Sequence, residues 1–296
     1  MIVCTRFLPV RLAVVVAASW LCGPLFAQEE APPAPQRPTE SGYRQLAPGV
    51  MKVVEPELLV EDTFSRHDVV ELLAVDPDFD WAKETPFRRD IWGLEFQFKV
   101  VRMLHVDIPN PETDRMQRKL VWYLVYSVTN NEKVLHPVRQ EDGTWKVERV
   151  ARPLKFIPQF LLEVPRFEKA YPARLIPVAM GPIRRREDPN RRFLNTVEMS
   201  QRTIQPGETV WGVATWVDID PRTNYFSIYV RGLTNAYRWR DEPGAFQERK
   251  LLGSGRRLSR KTLKLNFWRP GDEFIIHEGQ VRFGAPGALD YEWVWR

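Results

Sequence analysis

The sequence predicts an all-β protein made of two β-sandwich domains of the immunoglobulin-like type. Residues 90–131 form two strand-like runs joined by a polar connection that contains prolines. Further runs rich in aromatic and β-branched residues recur in the second half, separated by turn-forming residues. Between these two parts, residues 151–190 are rich in proline, which predicts an extended connection between domains.

The strand signal is strongest over residues 90–131. In the first run, Phe96, Phe98, Val100 and Arg102 occupy alternate positions and are predicted to share one face of a strand. The second run, residues 120–129, is almost entirely aromatic or aliphatic. A ribbon this long needs a second sheet to cover its apolar face, and this need favours a sandwich.

The N-terminus has the pattern of a signal peptide over residues 1–27. Arg6 and Arg11 supply positive charge, and an apolar run of about ten residues follows. A run this short does not span a bilayer, so no transmembrane segment is expected in the mature chain, although a retained membrane anchor is the alternative. Both cysteines, Cys4 and Cys22, lie in this segment, so the mature chain is predicted to be cysteine-free and to lack disulfides.

The remaining chain divides into four predicted parts. Residues 28–48 contain five prolines and predict a disordered, extended tether. Residues 49–150 are predicted to form the first sandwich domain, with a short helix that begins near Ser65. Residues 151–190 are the proline-rich extended connection, in which the spacing of the prolines argues against long helices. Residues 191–296 are predicted to form the second sandwich domain.

Charge is distributed unevenly between the two halves. Residues 28–150 carry 16 basic and 22 acidic side chains, a net charge of −6, whereas residues 151–296 carry 25 and 16, a net charge of +9. Opposite charges can steer the two halves toward each other or toward different partners. Uneven sampling of surface charge is the alternative.

Five arginines form the densest charge cluster in the sequence. They are Arg184, Arg185, Arg186, Arg191 and Arg192. The cluster predicts a site for an anionic partner, such as an acidic polymer or protein surface. The alternative is a solvated loop with internal arginine–carboxylate pairs. An exported protein is not expected to bind nucleic acid.

Four aromatic residues in the second half are candidates for a sugar-stacking platform. They are Trp211, Trp216, Tyr237 and Trp239. Aromatic rings on strands serve more often as core residues, which is the alternative.

The histidines do not predict a catalytic or metal site. They are His67, His105, His136 and His277, and no two of them have the spacing of a known zinc motif. His105 is predicted to be a structural residue within a strand, and His67 a residue at a helix start. No phosphate loop, dinucleotide fingerprint or nucleophile elbow is present, so we predict no catalytic, cofactor-binding or metal residues and no cofactor.

Two groups of aspartates have suggestive spacing. Asp76, Asp78 and Asp80 begin like a calcium loop but lack its glycine and its final glutamate, so the loop is not an EF-hand. Asp218 and Asp220 could pair as acid and base on one strand face, but the following proline favours a turn at Asp220.

A resemblance supports the expectation of export. The strings that carry it are Arg89-Asp90-Ile91-Trp92, Leu94-Glu95-Phe96, Arg118-Lys119-Leu120-Val121-Trp122-Tyr123, Ile157-Pro158-Gln159-Phe160, Trp211-Gly212-Val213-Ala214-Thr215-Trp216 and Gly232-Leu233-Thr234-Asn235-Ala236-Tyr237. Together they resemble an uncharacterised family of exported proteins of planctomycete-type bacteria. The resemblance implies location only, because no activity is known for that family.

The functional expectation is therefore an exported protein of the periplasm or cell envelope, with an extracellular location as the alternative. We expect a non-catalytic structural or interaction protein whose partner is an envelope protein or a polysaccharide. The alternatives are a carbohydrate-binding sandwich module and a hydrolase with unidentified carboxylates. The sequence does not indicate an oligomeric state.

Overall fold

The computed structural model describes both strand runs of residues 90–131 and most of the second half. It describes residues 51–55, 90–110, 112–142, 145–244, 254–270 and 281–296. The predicted signal peptide, tether, N-terminal helix and Asp76–Asp80 loop therefore lie outside the described residues, as do His67 and His277.

The described residues are mostly β-strand, which confirms the predicted all-β class. The strands are β1 (Lys52–Val54), β2 (Glu95–Phe98), β3 (Arg102–Asn110), β4 (Arg115–Thr129), β5 (Val134–Arg139), β6 (Trp145–Val150), β7 (Leu154–Lys155), β8 (Gln159–Val164), β9 (Lys169–Pro172), β10 (Thr203–Ile204), β11 (Thr209–Trp216), β12 (Tyr225–Arg231), β13 (Tyr237–Asp241), β14 (Arg256–Trp268), β15 (Arg282–Phe283) and β16 (Tyr291–Trp295). Two helices, α1 (Pro177–Glu187) and α2 (Thr196–Gln201), and a 3-10 turn (Pro165–Phe167) complete the described elements.

These strands form two main antiparallel sheets. In the first sheet, β4 is central: β11 pairs along one side of it, and β2 and β3 pair in succession along the other, with β1 beside β2. The second sheet has the order β13-β14-β12-β8-β9, and β15 and β16 also pair with β14. Two small ribbons, β5–β6 and β7–β10, complete the pairing among the described residues.

Aromatic side chains from both sheets pack in one shared core. Trp122 of β4 contacts Phe226 of β12 edge to face, with ring centroids 5.3 Å apart. Phe98 of β2 likewise contacts Phe267 of β14, at 6.1 Å. Phe160 of β8 lies over rings of the first sheet. Large buried rings of this kind supply most of the apolar area that a core removes from water.

The predicted division into two domains, 49–150 and 191–296, is wrong. β11 from the second half pairs with β4 from the first over eight residues, from Thr209↔Thr129 to Trp216↔Trp122. β8, from the predicted connection 151–190, is an internal strand of the second sheet. The described residues from Met51 to Arg296 therefore belong to one compact unit.

A one-residue bulge interrupts the first run of the predicted ribbon. Phe98 lies opposite Tyr126, but Arg102 lies opposite Tyr123, so four steps on β2–β3 match three steps on β4. An extra residue moves every later side chain to the other face. The predicted face of Phe96, Phe98, Val100 and Arg102 is therefore wrong: Phe96 and Phe98 face the shared core, whereas Arg102 faces the opposite side.

Helix α1 covers the side of the first sheet that faces away from the shared core. Its buried residues Ala179 and Ile183 pack with Val121, Tyr123 and Val125 of β4 in a second apolar cluster. The expectation of an extended chain here is wrong for a physical reason. Proline is tolerated at the first position of a helix, because the N–H that it lacks has no partner there.

No helix in the described ranges is both long and apolar enough to cross a membrane.

Candidate functional site

The best candidate site is an open cleft of about 810 Å³ beside β11. We call it the arginine–tryptophan cleft; its lining includes Asp188, Asn190, Arg191, Arg192, Glu198, Gln201, Arg202, Glu208 and Trp211. Three parts of the chain meet there: the segment after α1, helix α2 and the first half of β11.

Local interactions hold these parts in place. Asn195 caps α2 by accepting hydrogen bonds from the N–H groups of Val197 and Glu198, and the Glu198 carboxylate accepts from the N–H of Asn195. Leu194 lies beside Gly212 of β11 in a parallel bridge: its N–H donates to the carbonyl of Trp211, and its carbonyl accepts from the N–H of Val213. The reciprocal cap and this bridge fix α2 against the sheet.

Each cleft arginine is paired with a carboxylate. Arg191 Nε lies 3.0 Å from Asp188 Oδ2, and Arg192 lies 3.7 Å from Glu198. Arg202 contacts Glu208. The internal pairing that the sequence left as an alternative is therefore present in the cleft, and its charges balance.

Trp211 forms an aromatic wall of the cleft, and Arg191 covers part of it. The Arg191 guanidinium carbon lies 4.0 Å from the centre of the Trp211 ring, which is the geometry of a cation–π contact. The buried ring of Phe193 contacts the same tryptophan edge to face. A flat ligand that stacks on this ring would have to compete with the arginine.

Two of the cleft carboxylates, Asp188 and Glu208, are held in the ionised form. A hydrogen bond from Arg191 is the main reason that the pKa of Asp188 lies below its ordinary value. The N–H of Gln205 and the side chain of Arg202 lower the pKa of Glu208 in the same way. Hydrogen bonds to the charged form have this effect in general. These two groups therefore suit binding and orientation better than proton donation.

The other three predicted arginines lie on α1 and do not line the cleft. Arg184 and Arg186 are exposed and donate to backbone carbonyls, of Pro189 at 2.9 Å and Met103 at 2.7 Å. Arg185 is exposed on the same last turn. Positive side chains here are favourable because the C-terminus of a helix carries partial negative charge. The predicted cluster of five arginines is therefore divided between a helix end and the cleft.

The predicted aromatic platform is not assembled. Trp216 is fully buried in the shared core, so its assignment to sugar stacking is wrong. The spacing already argues against a shared platform, because Trp211 and Trp216 lie an odd number of residues apart and therefore face opposite sides of β11. Tyr237 is half-buried in β13 and does not line the cleft. Trp239 also lies in β13, but its side chain is outside the described part.

A buried carboxylate at the end of α1 escaped the sequence reasoning. Glu187, whose side chain is 1% exposed, accepts hydrogen bonds from Lys99 at 3.0 Å, Arg102 at 2.9 Å and the Tyr123 hydroxyl at 2.8 Å. The bulge in the first sheet brings Lys99 and Arg102 to one face, so both reach the same carboxylate. This Glu187 cluster ties α1 to the sheet next to the cleft.

A second charged cluster joins Asp90 and His136. His136 Nδ1 lies 2.5 Å from Asp90 Oδ1, and Arg152 lies 2.6 Å from the other carboxylate oxygen. A carboxylate that orients an imidazole is a common arrangement in general-base catalysis. Among the described residues, however, no hydroxyl or thiol is in hydrogen-bond contact with this imidazole.

The remaining candidates take structural roles. His105 lies in β3, as predicted for a strand residue. Asp220 accepts hydrogen bonds from Arg222 and begins a turn closed by the N–H of Thr223, which confirms the predicted turn. These contacts, mainly the one from Arg222, hold the pKa of Asp220 far below its ordinary value. Asp218 pairs with Lys119 at 2.9 Å.

Within the described ranges, no three acidic, histidine or cysteine side chains lie close enough together to hold a metal ion. Comparisons with protein-family models, with curated proteins and with solved structures find no match to this chain.

Proposed function

We propose that this is an exported, non-catalytic interaction protein that binds its partner through the arginine–tryptophan cleft. The observation that supports the proposal is that two of the cleft carboxylates are ionised and paired with arginines. Asp188 and Glu208 are ionised and held by arginines, so the cleft offers fixed donors and acceptors beside an aromatic wall. Preorganised polar groups of this kind favour recognition because little ordering is needed on binding.

Export to the periplasm or envelope is part of the proposal. Its support is the signal-peptide pattern of residues 1–27 and the resemblance to exported proteins of planctomycete-type bacteria. The immunoglobulin-like sandwich and the cysteine-free mature chain also stay predictions. Two sheets that share one aromatic core support the first of these.

The partner class follows from the charge balance. Because every cleft arginine already has a carboxylate, a strongly anionic polymer would have to displace those carboxylates. A polar surface of mixed charge meets no such cost. We therefore favour an envelope protein over an acidic polysaccharide as the partner.

A photo-crosslinking experiment tests the proposal. A benzoyl-phenylalanine at Gln201, within the cleft, should give a discrete crosslinked product in cells that make the protein. The same group at Leu289, which is 66% exposed and not part of the cleft, is the control. Arg192→Glu reverses an exposed cleft charge and should reduce the product from Gln201. Equal products from both positions, or none from Gln201, would contradict the proposal.

A carbohydrate-binding module is the second candidate, and the position of Trp211 in the cleft favours it. Soluble plant, algal and peptidoglycan sugars should then quench tryptophan fluorescence in the native protein. Trp211→Leu should abolish that response if the sugar stacks on this ring. The absence of any response across these sugars would exclude the module.

A further inference from the structure

Strand β4 extends beyond the strand that pairs with it. β11 pairs with β4 only as far as Trp122, where its own last residue, Trp216, lies opposite. Residues 115–121 of β4 continue to pair with β3 on their other side. In the described part of the chain, no segment pairs with them on the β11 side. We call this stretch the open edge.

The direction of the backbone groups along the open edge can be worked out from its neighbours. Asn130 donates to the carbonyl of Glu208, on the β11 side. Backbone groups of an antiparallel strand point to alternate sides, so even-numbered residues of β4 point toward β11. Met116, Arg118 and Leu120 therefore direct their N–H and C=O groups to the open side. No described group bonds to these backbone atoms.

The outer edge of β3 is different, because it is protected. The carbonyl of Met103 accepts a hydrogen bond from Arg186, and Pro109 has no N–H to offer. Both are common means of preventing strand addition at a sheet edge. The open edge of β4 has neither, and its Met116 side chain is 63% exposed.

The two faces beside the open edge have different chemistry. On one face lies the exposed Arg118, which is directly across from Asp107 of β3 but forms no ion pair with it or with any other described residue. On the other face is a pocket of about 630 Å³. Its lining combines apolar residues, Ile108, Ile176, Val178 and Val217, with charged residues that include the Lys119–Asp218 pair. A strand added here would place alternate side chains toward the arginine and toward the pocket.

We propose that the open edge of β4 is a docking site for an extended peptide that alternates acidic and apolar side chains. The peptide adds a strand to the first sheet, in line with β11, and its backbone pairs with Met116, Arg118 and Leu120. Its acidic side chains face Arg118, and its apolar side chains enter the pocket. A second copy of this chain does not fit, because Arg115, Arg118 and Lys119 would face the same charges.

A defined peptide tests this site in the full chain. A fluorescein-labelled heptapeptide of alternating valine and glutamate should bind, as measured by fluorescence anisotropy. It should also slow hydrogen exchange at the amides of Met116, Arg118 and Leu120. Arg118→Pro removes a donor that the fold itself does not use, and should weaken binding by about tenfold or more. Arg118→Gln keeps the backbone and should weaken binding less.

A matched proline on the protected edge is the control. The N–H of His105 in β3 also points outward, but on the other side of the ribbon, and His105 lies opposite Leu120 rather than Arg118, so His105→Pro should leave binding unchanged. If Arg118→Pro does not fold, Met116→Pro and the exchange measurement on the native chain take its place. No binding, no exchange protection at the open edge, or equal binding of an alternating valine–lysine peptide would each overturn the proposal. In those cases the basic side chains serve to protect the edge.

Discussion

Glu187 is the residue whose replacement should reveal most about how α1 is held. In Glu187→Gln, Lys99 and Arg102 keep their positive charges in a largely buried site without a compensating carboxylate. Breaking a buried ion pair on one side typically costs about 3–5 kcal/mol. Urea unfolding should therefore show a loss of this order. Glu55→Gln, in the exposed pair with Lys133, is the matched control and should change stability by less than about 0.5 kcal/mol.

The same residue should make stability depend on acid. Burial alone would raise the pKa of Glu187, but hydrogen bonds from Tyr123 and Lys99 and the charge of Arg102 outweigh it and hold the pKa below 4.5. The unfolded chain therefore takes up a proton at this carboxylate at a higher pH than the folded chain does. The contribution of Glu187 to the free energy of unfolding is fully present above pH about 4.5 and is lost as the pH falls below that value. In Glu187→Gln this loss on acidification should be smaller. An unchanged pH profile would contradict the role of Glu187.

At the scale of single residues, the sequence pattern predicts which residues lie in strands but not which side chains contact one another. It placed Phe96 and Phe98 on one face, and both are buried. It missed that Arg102 turns to the other face, because a bulge is fixed by pairing with a distant strand and leaves no mark in the alternation itself. Because the sequence does not show the bulge, it also does not show that Lys99 and Arg102 both contact Glu187.

Replacing Gly212 or Gly181 by alanine should change the stability of the protein in opposite directions. In β11, a Cβ at Gly212 would lie 2.5 Å from the Tyr126 ring and 2.8 Å from Met199, so Gly212→Ala should destabilise by about 1–3 kcal/mol. In α1, a Cβ at Gly181 would meet only Arg185, at 3.6 Å. Gly181→Ala should stabilise by about 0.5–1 kcal/mol, because glycine is costly within a helix. Thermal unfolding of both variants checks this, and shifts of the same sign would contradict it.

Helix α1 shows where element prediction failed. Its sequence contains Pro177 and Pro182, and proline spacing argued for an extended chain. Pro177 fits the first helical position, and Pro182 is accommodated inside the helix. The burial of Ala179 and Ile183 against the sheet and the anchoring of Glu187 offset the hydrogen bond that Pro182 removes. This stabilisation comes from tertiary contacts, which the local pattern does not contain.

At the scale of the molecule, the two halves should not fold separately. Fragment 41–150 contains β4 but not β11, and fragment 151–296 contains β11 but not β4. Each fragment would therefore expose part of the shared core. Each fragment alone should lack cooperative unfolding. The intact chain should show coincident transitions by circular dichroism and tryptophan fluorescence. A fragment that unfolds cooperatively on its own would contradict this.

The all-β class was predictable because strand patterns are local, whereas the pairing of the halves was not. Trp92 and Asn235 illustrate the difference. The N–H of Trp92 donates to Asn235 Oδ1 at 2.9 Å, and Asn235 donates to the carbonyl of Asp90 at 2.8 Å. Both residues belong to strings that the sequence singled out, but nothing in either string indicates that they meet. The cleft was predictable only in part, since Arg191, Arg192 and Trp211 were named separately.

The open edge has a consequence for how the chain can vary in evolution. Beyond Trp122, the outer parts of β3 and β4 pair only with each other among the described strands. Because side chains alternate with a period of two, two residues could be added to or removed from each strand at the hairpin end without changing which face the others occupy. The length of this arm can therefore diverge between related proteins while the β4–β11 register and the shared core stay constant.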